Sequence, residues 1–217
     1  MVPPEAQEWS RLANLAVPPL DYDAIQAPPA NPNARFASPA QFAYVRGEVE
    51  LRGTVGGAGF ASYSLQVGQG INPDAWVTIL EPLSQPVLNG RLALWDTSSL
   101  NGLTVVRLLV VRQDQRVESA ILQVTVDNTP PQVRVPYPLP GQVFNRASQD
   151  SVTLQAEVED NIGLRRVEWW INGRRAGEQL EPPYAFIWPA AAGEHILEVR
   201  AYDLAGNETR SEQIPFS

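Results

Sequence analysis

Cysteine is absent from this chain of 217 residues, lysine is absent too, and histidine and methionine occur once each, as His195 and Met1. Without cysteine there is no disulfide, no thiolate nucleophile and no cysteine metal site. Compartment stays open on that ground, because exported bacterial proteins often do without disulfides. Without lysine all sixteen basic residues are arginine, and against twenty-four acids they leave a net charge of −8. A phosphate backbone needs a concentrated basic surface, so nucleic acid is excluded as a general partner. Long apolar runs are missing as well. Nothing reaches the roughly eighteen residues of a membrane span, and the opening MVPPEAQEWS lacks the basic start and apolar stretch of a signal peptide. No membrane insertion by this segment is expected, and Met1 reads as an initiator placed on a fragment of a longer protein.

What the chain does contain is proline in clusters and apolar residues in alternation. In PPEAQEWSRLANLAVPP, Ala6, Trp9, Leu12 and Ala13 recur at three- and four-residue spacings between pairs of prolines, which predicts one short helix. Prolines and small residues from Pro18 to Pro39 predict an extended connector, with Trp9 and Tyr22 as anchors onto a neighbouring domain. Residues 1–38 are therefore read as helix and connector. From residue 40 the period changes to two. Val49 and Leu51 fall on one face with Gly53, and Tyr63, Leu65 and Val67 alternate with Ser62, Ser64 and Gln66, the pattern of half-buried antiparallel strands. Further strands are predicted over 75–80, 91–95, 103–112 and 118–127, with Asn89-Gly90 and Asn101-Gly102 as turn signals.

VDNTPPQVRV then places Pro130 and Pro131 in succession, removing two backbone donors and favouring a stiff polyproline segment. The second half repeats the plan in SVTLQAEVED, LRRVEWWING, PYAFIWP, EHILEVRAYD and SEQIPFS. Two tandem immunoglobulin-like β-sandwiches are the predicted fold, an all-β architecture with domains at 39–128 and 132–217. A weak internal repeat at roughly ninety residues agrees with it.

The stretches VEWWINGRRAG, PPYAFIWPAAAGEHILEVRAYDLAGN and VDNTPP resemble bacterial immunoglobulin-like modules strung along exported proteins. More specifically, PPEAQEWSRLANLAVPPLDYD, YSLQVGQGINPDAW, NGRLALWDTSSLNGL and LQVTVDNTPP resemble the accessory region after the transpeptidase domain of class A penicillin-binding proteins. The resemblance covers nearly the whole chain and rests on structural stretches. It implies a non-catalytic accessory region outside the cytoplasmic membrane, tethered through a peptidoglycan-synthesising parent whose catalytic domains it spaces or orients. Cell-wall polysaccharide or another envelope protein is then the expected partner. Penicillin-binding catalysis needs S-x-x-K and K-T-G motifs. A chain without lysine has neither, so it is not itself the transpeptidase.

A serine triad would require His195, but that residue is in phase with Leu197, Val199 and Ala201 on the core face of its strand. A structural role at the sandwich corner is expected for it, with Thr104 in the matching place of the first half. Glu168, Glu181, Glu194 and Glu198 offer carboxylates near aromatics, yet alternation sends Glu168 and Glu198 to solvent, and they are read as surface charge. Asp160-Asn161, Asp203 and Asn207, or Asp127-Asn128 at the linker, offer oxygen ligands for calcium. Asx residues also make turns unaided, and DLAGN reads as a turn with Gly206 at positive φ, so no metal and no cofactor is assigned.

Trp169 and Trp170 must point to opposite faces of one strand. Trp169 keeps company with Val167 and Ile171 and is assigned to the core. Trp170 is predicted to share the outer face with Arg200 and Tyr202. Two uses of that face stand open: a platform on which a sugar ring stacks, with Trp170, Arg200 and Tyr202 as its binding residues, or a ring lying beneath arginine stems or a neighbouring segment of the same protein.

Overall fold

A computed structural model describes residues 31–145 and 150–217, of which Pro32–Ser217 is one compact unit. The predicted short helix lies outside the described residues. The first half contains β1 (Ala34–Ser38), β2 (Tyr44–Val45), β3 (Glu48–Val55), β4 (Phe60–Gln69), β5 (Val77–Leu83), β6 (Val87–Asp96), β7 (Gly102–Arg112) and β8 (Val117–Val126). A three-stranded sheet ordered β1-β3-β6 faces a five-stranded sheet ordered β2-β8-β7-β4-β5. The second half contains β9 (Gln132–Tyr137), β10 (Ser151–Glu159), β11 (Leu164–Ile171), β12 (Arg174–Gln179), β13 (Ala185–Pro189), β14 (His195–Asp203), β15 (Glu208–Arg210) and β16 (Ile214–Phe216). Its sheets are β13-β10-β9 and β12-β11-β14-β15, with β16 also pairing β14.

Alternation decides which atoms leave water. In β10, Val152, Leu154 and Ala156 are buried while the residues between them are exposed. β7 is central in its sheet and carries Val106, Leu108 and Val110 into the core at 0 % exposure, with Leu65 of β4 opposite Leu108 and Leu122 of β8 opposite Val106. Each such aliphatic side chain contributes about 1.5–3 kcal/mol on burial. The apolar residues form two separate clusters, one around Leu51, Leu65, Trp95 and Leu108, the other around Leu154, Trp169, Leu197 and Phe216. No buried residue belongs to both, so there are two cores.

Three sequence expectations need correction here. β1 lies within the stretch read as connector, pairing antiparallel with β3 from Ala34↔Val55 to Ser38↔Arg52, so the first sandwich takes in these five residues. Ala34 is buried and Phe36 packs on the core, but a strand this short offers too few alternations to stand out among prolines. Asn89-Gly90 is not a hairpin turn. It lies inside β6, where the register against β3 slips between Gly53 and Val55, and Asn89 at φ 48 makes the irregularity. The Asn89 amide there donates to Thr54 Oγ1 at 3.0 Å. Glu168, expected at the surface, is 5 % exposed, for a reason that becomes clear from its neighbours.

Candidate functional site

The antiparallel pairing of β11 with β14 sets Arg166 opposite Tyr202, Glu168 opposite Arg200 and Trp170 opposite Glu198 on the outward face. All three residues singled out from the sequence, Trp170, Arg200 and Tyr202, are on that face and half-buried. The Arg200 guanidinium lies 3.8 Å over the Trp170 ring centroid and that of Arg166 lies 3.8 Å over Tyr202. Carboxylates complete the row: Arg200 Nε donates to Glu198 at 2.5 Å, Arg166 Nε to Glu168 at 2.7 Å, and Trp170 Nε1 to the other Glu168 oxygen at 3.0 Å. Arg175 on β12 stands 3.9 Å from Glu168. Covered by two arginines and an indole, Glu168 leaves solvent although its strand face points outward. Burial by itself pushes its carboxyl up, but the hydrogen bonds from Arg166 and Trp170 and the charges of Arg166 and Arg175 outweigh that and hold it below the ordinary value. One face of the Trp170 ring is therefore engaged by a guanidinium that is itself tied to Glu198.

On the opposite face Trp169 is fully buried, stacked on Phe186 with centroids 5.9 Å apart, and its Nε1 donates to Gln179. Gly177 pairs with Trp169, and a Cβ there would meet Phe186 Cε2 at 2.5 Å, so the missing side chain makes room for the aromatic stack. His195 is 8 % exposed. Its Nε2 faces the Ala191 carbonyl at 3.2 Å, an acceptor, which puts the proton on Nε2 and leaves Nδ1 to accept from Asn172 Nδ2 at 3.1 Å. With Trp188 edge-on at 4.7 Å, the imidazole is a corner fastening. Thr104, at 0 % exposure, turns its hydroxyl to the Gly102 carbonyl at 3.3 Å.

The linker from Asp127 to Pro131 joins β8 to β9 and is stitched to both sandwiches. Asn128 Nδ2 donates to the carbonyls of Thr97 (2.8 Å) and Leu100 (2.9 Å), and its Oδ1 accepts from the Gly47 amide. From the other side Asn207 Nδ2 donates to the Asp127 carbonyl at 2.9 Å, while Arg46 Nη1 of the first sandwich donates to Asn207 Oδ1 at 3.1 Å. Asp127 and Asp203 are at 0 % exposure and Asp160 is half-buried, and one carboxylate oxygen from each lies within 4.8 Å of the others. Burial raises the Asp127 carboxyl above its ordinary value, hydrogen bonds from Thr129 and Asn161 oppose this, and the charges of Asp160 and Asp203 add to the rise. The two Asx sets that stand apart in the sequence thus meet at one junction.

Comparison with known proteins agrees with this geometry. A family model described as a bacterial Ig domain matches residues 131–199. The fold is an immunoglobulin-like β-sandwich, used twice. Fibronectin(III)-like modules of Clostridium thermocellum CbhA are similar at 19 % identity, covering 84 % of this chain and 92 % of that one, with a TM-score of 0.50. Murine CEACAM1b is similar at 18 % identity over 80 % of this chain and 94 % of its own, with a TM-score of 0.44. No curated protein sequence matches the chain. Sandwiches of this immunoglobulin-like and fibronectin(III)-like kind fit a non-catalytic accessory or interaction module. Among the described residues no helix is long and apolar enough to cross a membrane.

Proposed function

We propose that the chain is a non-catalytic accessory region of an exported bacterial envelope protein, a two-sandwich spacer and interaction module placed outside the cytoplasmic membrane. The observation that carries the reading is the linker. Asn128 is fastened into the first sandwich and Asn207 reaches across from the second to the Asp127 carbonyl, so five linker residues hold two separately cored sandwiches at a set disposition. A spacer needs that property, whereas catalysis needs a convergent pocket. The histidine that a triad would use is bonded on both ring nitrogens.

The stretches quoted above support a finer reading, in which the parent is a peptidoglycan-synthesising enzyme whose catalytic domains this region spaces from the wall. Reading the native gene upstream of residue 1 tests the attachment: a glycosyltransferase–transpeptidase coding region is expected there, and a different catalytic domain or none overturns it. The carbohydrate-binding alternative draws no support from the aromatic face, because Arg200 already occupies one side of Trp170.

A further inference from the structure

Two of the carboxylates at the junction share a peculiarity. Asp127 Oδ1 accepts from the Thr129 amide at 3.1 Å and from Asn161 Nδ2 at 3.4 Å, but its Oδ2 is buried and meets no donor. Asp160 Oδ1 accepts from the amides of Ile162 (2.9 Å) and Gly163 (2.6 Å), and its Oδ2 is likewise buried with no donor. Asp203 is satisfied by Asn207 through its backbone amide at 2.7 Å and Nδ2 at 2.5 Å. Among the described residues none of the ion pairs includes any of the three aspartates, and Arg46 stops at Asn207.

A buried carboxylate oxygen without a partner is costly, and carboxylates gathered together repel one another when ionised. A cation answers both. The donors are all carboxylate oxygens, with no nitrogen or sulfur, which selects a hard ion. Oxygens sharing a calcium ion at about 2.3–2.6 Å stand no more than about 5.2 Å apart, and these three stand within 4.8 Å. Calcium also tolerates an irregular shell completed by water, whereas magnesium requires a near-octahedral one. We infer that Asp127, Asp160 and Asp203 bind a calcium ion at the junction, Asp127 from the linker end of β8, Asp160 from the β10–β11 loop and Asp203 from the end of β14. The ion then ties the linker to the second sandwich. The site does not depend on what the chain is attached to.

The test is calorimetric titration of the chelator-treated chain with calcium chloride and, separately, magnesium chloride, beside thermal unfolding in EDTA and in 10 mM of each salt. One calcium site is expected, with a Kd on the order of 10⁻⁴–10⁻³ M as in extracellular modules. At 10 mM that corresponds to a rise of about 3–10 °C in midpoint. Asp127→Asn and Asp160→Asn keep the Oδ1 acceptors that the turns use, and each is expected to weaken calcium binding at least about tenfold while melting no lower than the parent in EDTA. That crossing separates ligation from a structural role, which would lower the midpoint in both buffers. The inference is overturned by no calcium response at 10 mM, by an equal response to magnesium, or by a response that survives both substitutions.

Discussion

Trp170→Ala asks whether the outward aromatic face serves the sandwich or a ligand. The ring carries the Arg200 guanidinium at 3.8 Å, an interaction of about 0.5–2 kcal/mol depending on desolvation. Its Nε1 donates at 3.0 Å to a carboxylate that is 5 % exposed, a bond to a charged group of about 1.5–3 kcal/mol. Arg166 and Arg175 still attend Glu168 after the ring is gone, which returns part of that loss. A net destabilisation of about 2–4 kcal/mol follows, measured by urea unfolding with circular dichroism. Trp170→Phe keeps a face for Arg200 but no donor, and it falls between the two. In a parallel pull-down on purified peptidoglycan, the folded mutant and the parent are expected to behave alike. A stability change under about 0.5 kcal/mol, the size of an ordinary surface substitution, refutes the structural reasoning. Loss of glycan retention in a folded mutant refutes the ligand-free reading.

Other expectations rest on single observations. A Cβ at Gly53 would lie 2.2 Å from the Arg35 carbonyl oxygen, which is backbone and cannot rotate away. Gly53→Ala is therefore expected to cost at least about 2 kcal/mol in denaturant unfolding, and more than Gly177→Ala, whose obstacle is the Phe186 ring; the reverse order contradicts the argument. Because the Glu168 carboxyl is held below its ordinary value of 4.5, its contribution is full above that pH and is lost as pH falls through the lower folded value. The stability gap between the parent and Glu168→Gln should shrink between pH 6 and pH 3, and a constant gap rules this out. Asn207→Ala removes the bond to the Asp127 carbonyl and the partner of Arg46. A loss of about 1–3 kcal/mol is expected, with the two sandwiches unfolding in separate steps by calorimetry, and a single unshifted transition argues against the bracket.

Alternation made much of this legible. Val167, Trp169 and Ile171 fall on one side of LRRVEWWING and His195, Leu197 and Val199 on one side of HILEVRAYD, and all six are buried. The same rule placed Trp170, Arg200 and Tyr202 on a common face. It fails where the side of a strand does not decide exposure: Glu168 points outward and is covered by Arg166 two residues away and by Arg175 on β12. Local turn chemistry fails at Asn89-Gly90, where pairing of β6 with β3 absorbs a turn dipeptide as a register slip. The junction was legible only in its parts: both Asx sets offered oxygen donors, but nothing in the sequence said that they meet. Asp127, Asp160 and Asp203 belong to three separate chain segments, and only the disposition of two sandwiches brings their oxygens together.

The central claim is that two separately cored sandwiches act as one stiff spacer, and residual dipolar couplings of backbone amides in weakly aligned, isotope-labelled protein test it most directly. The account predicts a single alignment tensor that fits β1–β8 and β9–β16 together, with backbone order at 127–131 equal to that of the strands. Two tensors of different magnitude and orientation, with raised mobility confined to 127–131, would contradict it.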